Sequence, residues 1–311
     1  MVPHQHTRRV SLAFLVLALL AGPIDQYVGP WFLLGSPVPQ FSSLALASLL
    51  AALVLLAIQL LRRQRMPTAR HWAACVLLLV PQWCLIPFSS GPGASPWLHP
   101  INWGTTLLLS MAAPLWLGLA AALNMPRAEV PRSIIAAAIF GIGAISLVLP
   151  TSAVALSWNQ LPAFVINILL GIVIAVSWVL ARPRLNDCPA PSAAGAYLLL
   201  SAVGYTFSAS FQSPHSFSLA GWAALPLLSE VAVFVASWCL WFWLLQRLTL
   251  GAFAMRTLAT CTAALLPGFF IYGFRQWRVD AALAIAFLCL FVAVRAHPAE
   301  EQPMSLGLAS S

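Results

Sequence analysis

Three ionisable side chains lie inside stretches of sequence that are otherwise apolar. Glu230 lies in residues 226–245, PLLSEVAVFVASWCLWFWLL, Arg256 lies in the next apolar run, and Asp25 lies in AGPIDQYVGP. A charged side chain at the centre of a hydrocarbon layer costs about 3 kcal/mol or more unless it has a partner or access to water. Each of the three therefore indicates an ion pair, a cavity or a proton pathway.

The composition restricts the class of protein. Of the 311 residues, 61% are hydrophobic and 7% are charged, whereas a soluble domain carries roughly 25% charged residues. Too few polar side chains are present to cover a water-facing surface of this size. The sequence therefore predicts an all-α integral membrane protein without a large soluble domain.

Apolar runs of about 20 residues are long enough to cross a bilayer as helices. The sequence contains about ten, which we number spans 1 to 10: residues 10–33, 41–61, 71–90, 100–123, 131–149, 160–181, 193–211, 221–246, 249–273 and 279–295. The connecting segments are short, so consecutive spans are expected to be antiparallel neighbours.

The basic residues indicate how the spans are oriented. All 15 are arginines, and with ten spans twelve of them fall on one side: Arg8, Arg9, Arg62, Arg63, Arg65, Arg70, Arg127, Arg132, Arg182, Arg184, Arg247 and Arg295. By the positive-inside rule this side is cytoplasmic, together with both termini. The basic excess thus indicates membrane topology, and no nucleic-acid partner is expected.

The first span has a second interpretation. TRRVSLAFLVLALLAGPIDQ also resembles a signal peptide, including one of the twin-arginine type. We expect it to be retained as span 1, because cleavage would remove the first element of an internal repeat.

That repeat relates spans 1, 4 and 5 to spans 6, 9 and 10 at an offset near 149 residues. It predicts one five-helix repeat at residues 1–150, a second at 151–297, and a disordered cytoplasmic tail at 298–311. Because five is odd, the two repeats insert in opposite orientations. Inverted repeats are a common plan of secondary transporters, whose substrate site lies near the midplane.

Residues 101–149, INWGTTLLLSMAAPLWLGLAAALNMPRAEVPRSIIAAAIFGIGAISLVL, resemble the second half of an EamA repeat of the drug/metabolite transporter superfamily. A helix of small residues leads to Pro114, and a short loop precedes a second small-residue helix with Gly143. Residues 249–294 contain the downstream copy, and WCLWFWLLQRLTLGAFA is similar to the family's start of the ninth helix.

The chain departs from this family at three positions. Arg127 and Arg275 occupy the glutamate positions of the family's Gly-Glu pairs, and the second proline is displaced to Pro267. These departures identify the chain as a divergent member. They also leave open a transport-inactive homologue that serves as a membrane scaffold or partner protein.

The resemblance implies a transporter that moves a small organic metabolite, such as an amino acid or an aromatic compound, by alternating access. It implies export from a bacterial cell across the inner membrane, with proton coupling as an open option. Its cavity would be formed by spans that include 1, 3, 4, 6, 8 and 9.

Glu230 and Arg256 are the first candidates for this cavity. Glu230 lies about 14 Å below the outer end of span 8, and Arg256 about 10 Å above the inner end of span 9, at 1.5 Å per residue. Because these spans are consecutive, we expect an interior ion pair, which either fixes helix register or opens when a proton or substrate binds. Asp25 is either a cavity-facing proton carrier or a residue of the outer interface.

Polar and aromatic residues of other spans complete the candidate pathway. They are Gln82, Trp83, Asn102, Trp103, Asn167 and Tyr205. Together they predict an aromatic-walled pocket with scattered amides, suited to a neutral, zwitterionic or aromatic metabolite. The WCLWFW motif is interpreted separately, as a belt at the membrane interface.

An enzyme is not expected, because HExxH, GxSxG and Walker motifs are missing from the sequence. The six cysteines are scattered through apolar runs and are interpreted as small hydrophobic residues. The sequence contains no cofactor or metal signal. An intramembrane enzyme acting on a lipid is the alternative from another class, but the clustered polar residues that it requires at one membrane face are not found.

Overall fold

The computed structural model describes residues 40–89, 161–212 and 224–248, together with residues 16 and 253. This part of the chain is α-helical and contains no β-strand. Its helices are α1 (Gln40–Leu61), α2 (Ala69–Ser89), α3 (Leu161–Leu185), α4 (Ala190–Gln212) and α5 (Ala224–Arg247). The helical fold class is thereby confirmed for these segments.

The five helices coincide with predicted spans 2, 3, 6, 7 and 8, and no end differs from the predicted one by more than four residues. Apart from residues 16 and 253, spans 1, 4, 5, 9 and 10 lie outside the described residues. The count of ten helices, the inverted repeats and the C-terminal tail therefore stay predictions.

The end of α3 differs from the prediction. Span 6 was expected to end at residue 181 with two arginines after it, but the helix continues through Pro183 to Leu185, so Arg182 and Arg184 lie in its last turn. Proline lacks the N–H that would bond to the carbonyl one turn earlier. At this end of α3 the Arg184 guanidinium donates a hydrogen bond to the Leu180 carbonyl of the same helix, and the Arg182 guanidinium donates to the Leu245 carbonyl of α5. Both positive charges oppose the negative end of the α3 dipole.

Small residues form the main contact between helices. α1 packs chiefly along α4, with Gln59 hydrogen-bonded to Ser192 near one end and Leu56 against Gly195 one turn further. The two helices are therefore antiparallel. Alanines of both are fully buried here: Ala47, Ala51, Ala52, Ala193, Ala194 and Ala196. Small side chains let helix backbones approach closely, as is common where membrane helices associate.

Most of the other contacts also cross between the two predicted repeats. α2 packs on α3 and α4 and α5 packs on α1, whereas the contact of α5 with α4 lies within the second repeat. Among the described helices, the packing between residues 40–89 and residues 161–248 is thus more extensive than the packing within either part.

Two of these helices are long and apolar enough to cross a membrane: Ser42–Leu61, with a mean hydropathy of 2.6, and Leu227–Arg247, with 1.8. Large apolar side chains also remain exposed, including Leu53 and Leu60 on α1. On α3 the exposed apolar residues recur at helical spacing: Leu169, Val173, Val176 and Leu180. Apolar faces of this kind are rare on soluble monomers.

Candidate functional site

Trp83 of α2 and Tyr205 of α4, both predicted site residues, are brought to the same level of the helix bundle. The indole of Trp83 lies directly over Gly204, where an added Cβ would overlap the indole nitrogen and two ring carbons. Gly204 is therefore required for this approach of α2 to α4. Because Tyr205 follows Gly204 in α4, Tyr205 and Trp83 lie at nearly the same height along the bundle axis.

Glu230 of α5 lies at this level too. α4 and α5 are antiparallel, because Gln246 at the end of α5 donates hydrogen bonds to the carbonyls of Leu185 and Cys188, just before α4 begins, at 2.9 and 2.8 Å. The ring of Tyr197 contacts that of Trp238 with centroids 4.2 Å apart. From this contact, Tyr205 is eight residues further along α4 and Glu230 eight residues back along α5. Because the helices are antiparallel, both steps advance about 12 Å in the same direction, so Glu230 lies at the height of Tyr205.

Ser48 adds a fourth group, which was not among the predicted site residues. Gln59 of α1 contacts Ser192 of α4, and the two helices are antiparallel. Ser48 is eleven residues before Gln59, and Val203 is eleven residues after Ser192, so Ser48 lies at the height of Val203 and its neighbour Gly204. Ser48 is fully buried, and its hydroxyl makes no hydrogen bond within the described part of the chain. The only sequence signal for it is a serine in an otherwise apolar span.

We call Ser48, Trp83, Tyr205 and Glu230 the polar layer. Two of its members come from the first predicted repeat and two from the second. The layer combines a carboxyl group, two hydroxyl groups and an indole with the faces of two aromatic rings. Polar groups and aromatic rings of these kinds are typical of the lining of sites for small organic molecules.

Glu230 lies near the first described residue of α5. From Ala224 it is six residues, or about 9 Å, along the helix. The side chain is partly buried. The predicted depth of 14 Å was counted from residue 221, which lies outside the described residues, so that depth stays a prediction.

For the remaining predicted site residues, a place in this layer stays a prediction. Gln82 and Asn167 lie on the backbones of α2 and α3, and their side chains are outside the described residues. Four others lie wholly outside them: Asp25, Asn102, Trp103 and Arg256. The Glu230–Arg256 ion pair therefore stays a prediction.

Most rings of the WCLWFW motif pack between helices. Trp238, Trp241 and Phe242 contact Tyr197 of α4 and Trp178 of α3. Phe242 is fully buried. These rings therefore face α3 and α4, and their position at the membrane interface stays a prediction.

A second polar cluster joins the loops at the other end of the helices. His71 Nε2 lies 3.1 Å from Asp187 Oδ1, and the Arg70 guanidinium donates to the Pro183 carbonyl at 3.3 Å. The Arg182 guanidinium donates to the carbonyls of Leu245 and Leu248. We call this end the basic end, because the described arginines that were predicted to share one side of the membrane lie there: Arg62, Arg63, Arg65, Arg70, Arg182, Arg184 and Arg247.

The hydrogen bonds of His71 define its tautomer. Nδ1 accepts the Thr68 backbone N–H at 3.0 Å, so Nε2 carries the ring proton and donates to Asp187. Thr68 is the N-cap of α2, and His71 three residues later takes the place of the acid in a capping box. This hydrogen bond is the main reason why the pKa of Asp187 lies below its usual value. Burial raises the pKa of the neighbouring Cys188 thiol to about 12, so this cysteine is not a reactive nucleophile at neutral pH.

Comparison with known proteins is informative about the fold. No family model and no curated protein matches the sequence. The crystal structure of another protein is similar, with a TM-score of 0.65 and 16% sequence identity. The similarity covers 93% of this chain and 98% of the other. At this identity it concerns the fold alone, and the chain shares that fold along nearly its whole length.

Proposed function

We propose that the protein is a membrane-embedded secondary transporter of a small organic metabolite, related to the EamA-like members of the drug/metabolite transporter superfamily. It works by alternating access in the inner membrane of a bacterium, as an exporter, with the basic end and both termini towards the cytoplasm. The observation that carries the proposal is the polar layer. Its residues belong to helices of both predicted repeats and lie at one level, and an inverted-repeat transporter has its substrate site where its two repeats meet.

The contacts at the basic end suggest how such a site would be closed on one side. Arg70 and His71 both lie in the first turn of α2. Arg70 is hydrogen-bonded to Pro183 in the last turn of α3, and His71 is paired with Asp187 in the loop between α3 and α4. Both contacts join the first predicted repeat to the second. Access from the basic end would require them to break, so this conformation is the one closed to the cytoplasm.

In this mechanism Glu230 is the coupling group. Protonation of the carboxyl would release its interactions with neighbouring groups and favour the conformation open to the opposite side. Ser48, Trp83 and Tyr205 would orient the substrate through hydrogen bonds and ring contacts.

The experiment measures the melting temperature of the purified protein across a panel of amino acids and aromatic metabolites at two pH values. A ligand that binds only the folded protein raises the melting temperature by mass action. We expect at least one compound to do so in a pH-dependent manner. Glu230→Gln should abolish the pH dependence, and Ser48→Ala should weaken the response.

Ser177→Ala is the matched control, because Ser177 is a buried serine of α3 whose hydroxyl bonds locally to the Ile174 carbonyl. This variant should keep the full ligand response. A panel without any response, with Glu230→Gln destabilised equally at both pH values, would contradict the proposal and favour a membrane scaffold. A compound that responds should then be carried into proteoliposomes by the wild-type protein and not by Glu230→Gln.

A further inference from the structure

The loop between α1 and α2 presents an unusual concentration of free positive charge. Arg62, Arg63 and Arg65 fall within four consecutive residues and are all exposed. Within the described residues, their guanidinium groups form no hydrogen bond or ion pair. The nearby carboxylate at the basic end, Asp187, is bonded to His71. These three arginines are thus available to an anion from outside the chain.

The backbone at Arg63 is an independent observation. Its φ is 51°, in the left-handed region that favours glycine. Arg63 N–H bonds to the Leu60 carbonyl and Gln64 N–H to the Gln59 carbonyl, which is the Schellman motif that ends many helices, with Arg63 in the place usually taken by glycine. Arg63 thus carries a charged side chain at a position where glycine would relieve backbone strain.

An exposed apolar surface lies next to the three arginines of this loop. Leu60 and Leu61, the last residues of α1, are 68% and 83% exposed, and Leu53 two turns earlier is 52% exposed. The same helix end therefore offers exposed aliphatic side chains next to three guanidinium groups. This combination matches a molecule with a negative head and long hydrocarbon chains.

We infer that the α1–α2 loop is a binding site for one anionic phospholipid, with the phosphate on Arg62, Arg63 and Arg65 and the acyl chains along Leu53, Leu60 and Leu61. The inference rests on the membrane embedding in the proposed function and is independent of transport. Charge complementarity identifies the occupant, because clusters of basic residues beside a membrane helix attract anionic headgroups. Guanidinium groups also form paired hydrogen bonds with phosphate oxygens.

Native mass spectrometry of the full-length protein tests the inference, with phosphatidylglycerol and phosphatidylcholine as competing probes. The wild type should retain one phosphatidylglycerol in preference to phosphatidylcholine. Each arginine replaced should weaken retention about fivefold, and Arg62→Gln, Arg63→Gly and Arg65→Gln together roughly a hundredfold. Arg63→Gly alone relieves the backbone strain, so its loss of lipid cannot be attributed to unfolding.

Arg184→Gln is the matched control, because it removes one exposed positive charge from the same end but outside the loop. It should leave retention unchanged. Equal weakening by Arg184→Gln and Arg63→Gly would overturn the site in favour of diffuse attraction to the whole end. Displacement of the lipid by an equal concentration of inorganic phosphate would overturn the lipid assignment, and unchanged retention in the triple variant would overturn the inference altogether. None of these outcomes bears on whether a metabolite binds the polar layer.

Discussion

At the scale of single residues, the Ser48 hydroxyl is buried and makes no hydrogen bond within the described part of the chain. A buried hydroxyl without a partner loses its hydration and gains no hydrogen bond in return, which costs roughly 1–3 kcal/mol. Ser48→Ala should therefore raise the melting temperature of the ligand-free protein or leave it unchanged. Ser201→Ala is the comparison, since the Ser201 hydroxyl bonds to the Tyr197 carbonyl at 2.9 Å and the variant should be slightly less stable. An equal loss in both variants would mean that Ser48 has a partner.

Gly204 and Gly195, both on α4, allow a paired test of the contact with Trp83. A methyl group at 204 overlaps the rigid indole, whereas at 195 it meets the flexible Leu56 side chain at 3.0 Å. Overpacking costs about 1–3 kcal/mol, and alanine regains up to about 1 kcal/mol of helix propensity over glycine. Gly204→Ala should lower the melting temperature more than Gly195→Ala. Addition of Trp83→Leu should restore much of the Gly204→Ala loss, as a double-mutant cycle would detect.

At the scale of helices and their connections, the His71–Asp187 pair makes the junction between α2 and the α3–α4 loop sensitive to acid. The pKa of Asp187 is lowered in the folded protein, so its ionised form adds stability above the usual aspartate pKa near 3.8, and that stability is lost as pH falls through the lowered value. Wild type should thus exceed Asp187→Asn in melting temperature at pH 5, and the difference should disappear as the pH falls through the lowered pKa of Asp187. The effect should be under about 1 kcal/mol, because the side chain is 61% exposed. A difference that grows on acidification would contradict this assignment.

The C-terminal end of α5 depends on α3 in a similar way. Arg182 donates to the carbonyls of Leu245 and Leu248, which the helix itself leaves without partners. Arg182→Met should destabilise the protein by about 1–3 kcal/mol and increase amide hydrogen exchange around residues 244–248. Arg184→Met should have a smaller effect, because that guanidinium bonds only within its own helix, to Leu180. Unchanged exchange in Arg182→Met would show that the cap is not required.

At the scale of the whole molecule, the described helices of one predicted repeat pack mainly on those of the other. α1 packs on α4 and α5, and α2 packs on α3 and α4. Residues 1–150 and 151–311, expressed together as separate chains, should therefore associate in the membrane and purify as a complex with a tag on one of them. The second chain alone should lack a cooperative melting transition. A stable, folded 151–311 fragment would contradict the dependence of the second repeat on packing against the first.

The position and type of the five described helices follow from local features of the sequence. Apolar runs of sufficient length predict where each helix lies, and the arginines predict which ends of the helices share a side. Composition and charge are properties of a single segment of sequence. The position of each helix and the side that its ends share could therefore be predicted before the fold was known.

The neighbours of each side chain depend on how helices rotate and cross. Tertiary packing placed Glu230 level with Tyr205, turned the rings of WCLWFW towards α3 and α4, and joined His71 to Asp187 across 116 positions of sequence. It also left the Ser48 hydroxyl without a partner in the described part of the chain. A helix with apolar residues on nearly every side has no distinct polar face that would determine which side turns inward. Rotation is therefore determined by small-residue contacts between helices, such as Gly204 against Trp83, which appear only when the helices pack.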